Sequence, residues 1–364
     1  MHPIAHAQTR PDHPAIIMAP SGETVTFGQM DDYANRFAQL LRSRGLKRGD
    51  HFAVLMENNS HYLQVVWGSQ RAGTMMVPIS TRLTAPEICY ILKDANAKFL
   101  LTTRKFADVI EGIRGDCADL PLLIVGGEGD EDYDAALAAQ PAEPIADQAP
   151  GQYMLYSSGT TGDPKAIPWT QTTPIKCAAD ARYHHDIQPG DVLAWPTNLG
   201  WMMGPWLIFA ALINRASIAL YYGAPTEPAF GAFVQDAGVT MLGLVPSIVR
   251  AWRTNRCMEP FDWGRIRAFS STGECSNPED MLYLMWLAGY KPVIEYCGGT
   301  EIGGGYITGS MLKPIVPGTF NTLALGTDAV ILDEEGKPSE IGELFIVPPS
   351  IGLSATLLNQ DHSE

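Results

Sequence analysis

Tyr156-Ser157-Ser158-Gly159-Thr160-Thr161-Gly162-Asp163-Pro164-Lys165 begins inside the run Met154 to Ser157, which reads as a strand. Gly159 and Gly162 allow a sharp turn and a close backbone approach to a ligand. Four hydroxyl side chains, the exposed backbone N–H groups and the charge of Lys165 all suit phosphate oxygens. The string is not a Walker loop, because the Gly-Lys-Ser/Thr ending is absent and Pro164 stands where that pattern needs Gly. Composition alone leaves two readings, a polyphosphate cradle or a polar turn that binds nothing.

Outward from this turn, strand and helix periods alternate. Met30, Tyr33, Phe37, Leu40 and Leu41 recur at helical spacing between Gly28 and Gly45, and Gly45 suits a C-terminal cap. A second helix is expected from Ser60 to Ala72. Strands are expected at Phe52–Met56, Met75–Ile79, Phe99–Thr102 and Leu120–Val125, and again at Val192–Pro196, Ser217–Tyr221, Thr240–Leu244, Ile266–Ser271 and Val293–Tyr296. This β-α rhythm predicts an α/β fold of two mostly parallel sheets flanked by helices. Gly126 to Gly151, acidic and rich in Ala, Gly and Pro, reads as a surface connection. Ala329–Leu332 and Leu344–Val347 flank Asp333-Glu334-Glu335-Gly336, the start of an antiparallel element. The expected parts are a first α/β subdomain over 1–170 with the Gly-rich turn, a second over 171–314, and a partial β-barrel over 315–364.

The chain has 364 residues, 46% hydrophobic and 18% charged, ample for a buried core. Its formal charge is −15, from 40 acidic against 25 basic residues, which argues against nucleic-acid binding. A small anion needs only one local site of N–H groups and a Lys. Six scattered cysteines without a CxxC pair suit reduced thiols rather than disulfides or zinc. No secretory signal is legible, and Trp201 to Ile213 is too short to span a bilayer and carries Gly204 and Pro205. A cytoplasmic protein is the expectation. The sequence leaves the oligomeric state open.

The ten-residue string resembles the signature phosphate loop of the adenylate-forming superfamily: acyl-CoA synthetases, luciferases and peptide-synthetase adenylation domains. Further strings follow in the family's order. Ser271-Thr272-Gly273-Glu274-Cys275 resembles its adenine-contacting loop, and Glu295-Tyr296-Cys297-Gly298-Gly299-Thr300-Glu301 its Tyr-Gly-x-Thr-Glu motif, with Cys297 in place of the usual aromatic residue. Gly342-Glu343-Leu344 followed by Pro349 resembles the late Gly-Glu-Leu segment. PKAIPWTQ (164–171), CAAD (177–180), WPTNLGWMMGPW (195–206), FVQDAGVTMLG (233–243) and IEYCGGTEIGGGYI (294–307) are most similar to plant peroxisomal-type acyl-activating enzymes and bacterial relatives. The first 150 residues look more like generic fatty-acyl-CoA synthetases.

The resemblance implies activation of a carboxylic acid by ATP and Mg²⁺ to an acyl-adenylate, then transfer to CoA. Two anions must meet, so such a site must neutralise charge. By resemblance, Ser157, Ser158, Gly159, Thr160, Thr161, Gly162 and Lys165 would hold the β- and γ-phosphates. Thr300 would contact the α-phosphate and Glu301 would ligate Mg²⁺, which takes one or two carboxylates plus nucleotide phosphates. Gly273, Glu274, Cys275, Glu295, Tyr296 and Cys297 would line the adenine, though Cys297 also suits a small packing residue. Trp201, Met202 and Met203 match the acyl-pocket segment, together with Gly298 and Gly299. The same segment suits the core of a short helix beginning near Met203. In acetate-specific relatives a bulky aromatic residue at the place of Gly298 closes the pocket, so Gly implies an acid larger than acetate.

His184-His185-Asp186 invites a metal reading, but adjacent side chains diverge on helix and strand alike, and surface histidines are expected. Cys177 and Cys275 lack a nearby base pattern that would make a nucleophile. Family members continue to a Thr-Gly-Asp motif, a hinge and a small C-terminal domain with a catalytic lysine. The resemblance therefore implies a C-terminally truncated large domain, impaired in turnover. The alternatives are a non-catalytic nucleotide- or acyl-adenylate-binding module and an amino-acid adenylation domain. The latter needs an acidic partner for the ammonium, and Trp195 to Trp206 holds none.

Overall fold

The Ser60–Ala72 helix has both of its ends written in sequence. The Asn59 side chain accepts the amide of Tyr62 at 3.1 Å, and Gly73 closes the helix in the left-handed conformation at φ 68°. The Phe27–Ser43 helix opens on a capping box in which Thr26 and Gln29 bond each other's backbone amides at 3.3 and 2.9 Å. The Met203–Ile213 helix is apolar all round and buried along nearly its whole length, as a helix inside a core must be. The computed structural model describes residues 4–19, 21–157 and 164–359.

Two large sheets packed with helices result, besides a separate two-stranded sheet near the C-terminus. The smaller sheet runs Leu122–Val125, Leu100–Thr103, His51–Leu55, Met75–Pro78, Gln152–Ser157, Lys165–Pro168. It is parallel except for its last pair. The larger sheet runs Thr322–Leu323, Gly304–Thr308, Val293–Gly299, Ala268–Ser271, Met241–Leu244, Val192–Ala194, Ser217–Tyr221, Pro14–Ala19, Thr24–Thr26. Its inner strands are parallel and its edges antiparallel. The largest apolar cluster draws on both sheets and on the three helices just described, which makes those helices the middle layer. Trp67 and Phe209 meet edge to face within it, with ring centroids 5.9 Å apart. Separate clusters cover the outer face of each sheet.

The α/β fold of two mostly parallel, helix-flanked sheets is therefore present, and several expected elements differ in detail. Pro14–Ala19 joins the larger sheet beside Ser217–Tyr221, with Thr24–Thr26 as its edge, which local periodicity does not reveal. The 126–151 connection carries a helix, Tyr133–Ala138, capped by Asp132 and anchored by buried Tyr133 and Leu137. Near the C-terminus Asp328–Leu332 pairs only with Glu343–Val347, and no barrel closes among the described residues. No helix among the described residues is long and apolar enough to cross a membrane.

Candidate active site

Both sheets reverse their strand order, and the chain leaves a crevice there. In the larger sheet Val192–Ala194 has Ser217–Tyr221 on one side and Met241–Leu244 on the other. In the smaller, His51–Leu55 has Met75–Pro78 and Leu100–Thr103 as its neighbours. Ligands of open α/β sheets bind beyond the carboxyl ends of strands at such points. A cavity of about 700 Å³ lies there, lined from the smaller sheet by Glu57, Asn58, Thr81 and Arg82. From the larger sheet come Trp195, Tyr222, Ser247, Gly273 and Glu274, with Trp201, Met202 and Met203 between.

Asn58 fixes the two sheets against each other across this crevice. Its amide donates to the carbonyls of Thr197 and Tyr221 at 2.7 and 3.4 Å, and its oxygen accepts the amide of Leu199 at 3.1 Å. Tyr62 adds a hydroxyl donated to the Leu199 carbonyl at 3.0 Å. Two carboxylates reach the wall, and both are engaged. Glu57 accepts from the Thr103 hydroxyl at 2.6 Å, and Glu274 accepts the amide and hydroxyl of Ser247 at 3.0 and 2.8 Å. Exposed Arg82 lines the cavity, and the ammonium of exposed Lys105 lies 3.6 Å from the ring centre of Tyr222, itself a lining residue.

The Thr300–Glu301 turn leaves the carboxyl end of Val293–Gly299, a strand parallel to Ala268–Ser271, so it emerges at the same edge as Gly273. Trp169 donates its indole N–H to the Thr300 carbonyl at 2.8 Å, and Ser354 donates its amide to the Glu301 carbonyl at 2.6 Å. The Ser354 hydroxyl donates to the Pro168 carbonyl at 3.0 Å. Lys165–Pro168 is the strand that leaves the Gly-rich turn, and Ser157 and Lys165 face each other across its hairpin. The turn bearing Thr300 and Glu301 is thus bound to the strand that begins at Lys165. Ser158, Gly159, Thr160, Thr161 and Gly162 lie outside the described residues.

Residues of the Glu295–Gly299 stretch part company, because a strand alternates its faces. Tyr296 points into the core and is 2% exposed; Trp206 donates to its hydroxyl at 2.9 Å, which in turn donates to Asp180 at 2.5 Å. Its side chain does not reach the cavity wall, contrary to the expectation that it lines the adenine. Cys297 faces the other way, its sulfur 3.0 Å from the Tyr306 hydroxyl. That contact, and then burial, push the Tyr306 hydroxyl up to about 12. Glu295 is 5% exposed; one carboxylate oxygen accepts from Ser276 at 2.7 Å and the other has no hydrogen-bond partner. Burial raises its carboxyl above the ordinary range.

The space at Gly298 is already taken. A Cβ there would run into the carbonyl of Gly304 on the paired strand, so Gly298 answers to hairpin closure and not to room for an acid. The histidines are also not where they were expected. His184 and His185 are both buried, 3% and 1% exposed. Loops around Gly309 and Leu325 cover His184, whose ring bonds the Gly309 carbonyl and the Leu325 amide at 3.2 and 3.1 Å. His185 packs edge to face on Trp206 and Tyr296. Burial holds the imidazole of His185 down at about 3 and lowers that of His184. Among the described residues no cluster of His, Cys, Asp and Glu could hold a metal by itself. Glu301 is exposed and offers one carboxylate.

The family model described as AMP-binding enzyme matches residues 4–353. The chain is 45% identical to a probable acyl-activating enzyme 17, peroxisomal, from Arabidopsis thaliana, over 89% of this chain and 49% of that protein. It is 43% identical to a hexanoyl-CoA synthase from Cannabis sativa over the same shares. The chain therefore spans about half the length of these curated relatives. The acetoacetyl-CoA synthetase of Streptomyces lividans superposes with a TM-score of 0.90 at 25% identity, covering 98% of this chain and 60% of that one.

Proposed function

Because the chain belongs to the AMP-binding enzyme family, we propose that it holds ATP and a carboxylic acid for an acid–thiol ligase of the acyl-CoA synthetase class. In that reaction a carboxylate oxygen attacks the α-phosphorus of ATP, the bond to the β-phosphate oxygen breaks, and pyrophosphate leaves. The thiol of CoA then attacks the acyl carbon, the thioester forms, and AMP departs. The observation that supports this reading is the tie from Trp169 and Ser354, which bonds the Thr300–Glu301 turn to the far end of the strand that follows the Gly-rich turn.

The donor set suits each partner. The Gly273–Glu274 turn on the cavity wall suits the adenine, and buried Glu295 bonds Ser276 of the same loop. Ser157 and Lys165 flank the β- and γ-phosphates, the ammonium countering their charge. Thr300 faces the α-phosphate. Mg²⁺ carried by the nucleotide would neutralise phosphate charge, and Glu301 supplies the one carboxylate it needs from protein. Trp201, Met202, Met203 and Tyr222 form an apolar wall for the acid, and the 700 Å³ cavity suits an acid larger than acetate. Arg82 on its wall, and Lys105 beside Tyr222, suit the phosphates of CoA. Glu57 and Glu274 are both occupied, which disfavours an amino-acid substrate whose ammonium needs a free anion.

Calorimetric titration of the chain with ATP and Mg²⁺, with and without hexanoate or longer acids, tests the reading. Saturable ATP binding is expected, lost in Lys165→Ala at an unchanged melting temperature. A chain that binds no nucleotide would end the proposal.

A further inference from the structure

The helix Thr173–Tyr183 turns an unusually polar face toward the core. Thr173, Lys176, Cys177 and Asp180 fall at the helical spacing of one face and are all buried, and each bonds a backbone group beyond the helix. Thr173 donates to the Gly352 carbonyl at 3.2 Å and Cys177 to the Gly303 carbonyl at 2.9 Å. Lys176 donates to Asp180 at 2.7 Å and to the Leu325 carbonyl at 3.3 Å. The strongest convergence is at Asp180, which is 0% exposed. One of its oxygens receives Lys176, and the other receives the Tyr296 hydroxyl at 2.5 Å and the Gly305 amide at 2.9 Å.

Tyr296 and Gly305 lie on the two strands of one hairpin, and Thr300 and Glu301 form the turn between them. A single carboxylate oxygen therefore clamps both legs of the hairpin below its tip. The fit is close enough that a Cβ on Gly304 would come within 2.7 Å of the Asp180 carboxylate. A buried ion pair is weak evidence for stability, since an apolar pair often serves as well. What an apolar pair cannot do is accept two hydrogen bonds from opposite legs of a turn.

We propose that Asp180 is a positioning residue for the nucleotide site, fixing Thr300 and Glu301 through Tyr296 and Gly305, with Lys176 as its counter-charge. The inference rests on the nucleotide reading above. Displacing a phosphate- or metal-facing group by a fraction of an ångström weakens what it holds without unfolding the protein.

The test compares two charge-free variants of the whole chain by calorimetry with ATP, in the presence and absence of Mg²⁺. Lys176→Met with Asp180→Asn keeps an acceptor oxygen for the hairpin; Lys176→Met with Asp180→Ala removes it. Mg²⁺-dependent ATP affinity is expected to stay within about twofold of wild type in the first and to fall about tenfold in the second. The alanine variant is expected to melt lower, since the Tyr296 hydroxyl and Gly305 amide lose their acceptor, but to remain folded, and its ATP affinity without Mg²⁺ should fall less than with Mg²⁺, through Thr300 alone. Equal Mg²⁺ dependence in the two variants would overturn the positioning role while leaving the function intact. Absence of ATP binding by the wild-type chain would overturn both. Should the alanine variant not fold, Tyr296→Phe removes one leg of the clamp. It is expected to lose part of the Mg²⁺ dependence, and an unchanged dependence would count against the role.

Discussion

Two antiparallel hairpins of this chain have opposite surroundings. The Val293–Gly299 and Gly304–Thr308 pair extends the larger sheet; Asp180 holds its legs, Cys177 its turn at Gly303 and His184 the chain just past it at Gly309. The Asp328–Leu332 and Glu343–Val347 pair stands as a separate two-stranded sheet. Its Phe345 and Val347 are 42% and 38% exposed, and Ile341 before it is 87% exposed. Its ion pair, Lys337 with Glu335 at 2.7 Å, lies open to solvent. The same local geometry thus serves two purposes. The hairpin whose turn carries Thr300 and Glu301 is held by several buried polar contacts, whereas the other rests on its own ladder.

Single substitutions should separate the two hairpins by size of effect. Asp180→Ala alone leaves the Lys176 ammonium buried and unpaired, which is expected to cost about 3–5 kcal/mol in denaturant unfolding. A loss near zero would mean that Lys176 reaches water and that the clamp is not dry. Gly298→Ala is expected to cost about 1–3 kcal/mol by forcing the hairpin legs apart, with no change in preference for acid chain length. A variant of native stability with altered chain-length preference would restore Gly298 to the acid pocket.

The buried histidines sharpen the contrast by pH. His185 titrates at about 3 when folded against an ordinary 6.5, so between those values the unfolded chain binds the proton that the folded chain refuses. Stability should therefore rise with pH across that window and be indifferent to this group above it. His184, also lowered, adds in the same direction. Replacing His185 by Gln is expected to flatten the slope of melting temperature between pH 4 and 6. An unchanged slope would assign the acid lability elsewhere. Smallest of all, Lys337→Ala in the exposed hairpin should leave the melting temperature where it is, since solvent screens that pair.

Much of the architecture could be read from periodicity. Ser217–Tyr221 and Ser60–Ala72 occur with the boundaries expected, because burial on both faces or a cap at each end leaves a local signature. The Gly-rich string read as a phosphate loop stands out in sequence for a similar reason, its candidate donors being gathered in one continuous stretch, most of which lies outside the described residues. The remaining parts of the site depend on contacts between distant segments. Asn58, which staples the sheets, has no neighbour pattern that sets it apart. Asp180 reads as an ordinary helical carboxylate until Tyr296 and Gly305 arrive, more than a hundred residues later. His184 and His185 are expected at the surface because nothing nearby in sequence covers them; loops at 309 and 325 cover the first, and Trp206 and Tyr296 the second. The first strand shows the same limit, since its parallel partner, Ser217–Tyr221, is about two hundred residues away.

Hydrogen exchange with and without ATP and Mg²⁺ addresses the central claim most directly. The amides around Ser157 and Lys165 and those of residues 299–302 are expected to gain protection together, while 328–347 does not respond. Protection confined to one of the two segments, or spread to the exposed hairpin instead, would contradict a shared phosphate site.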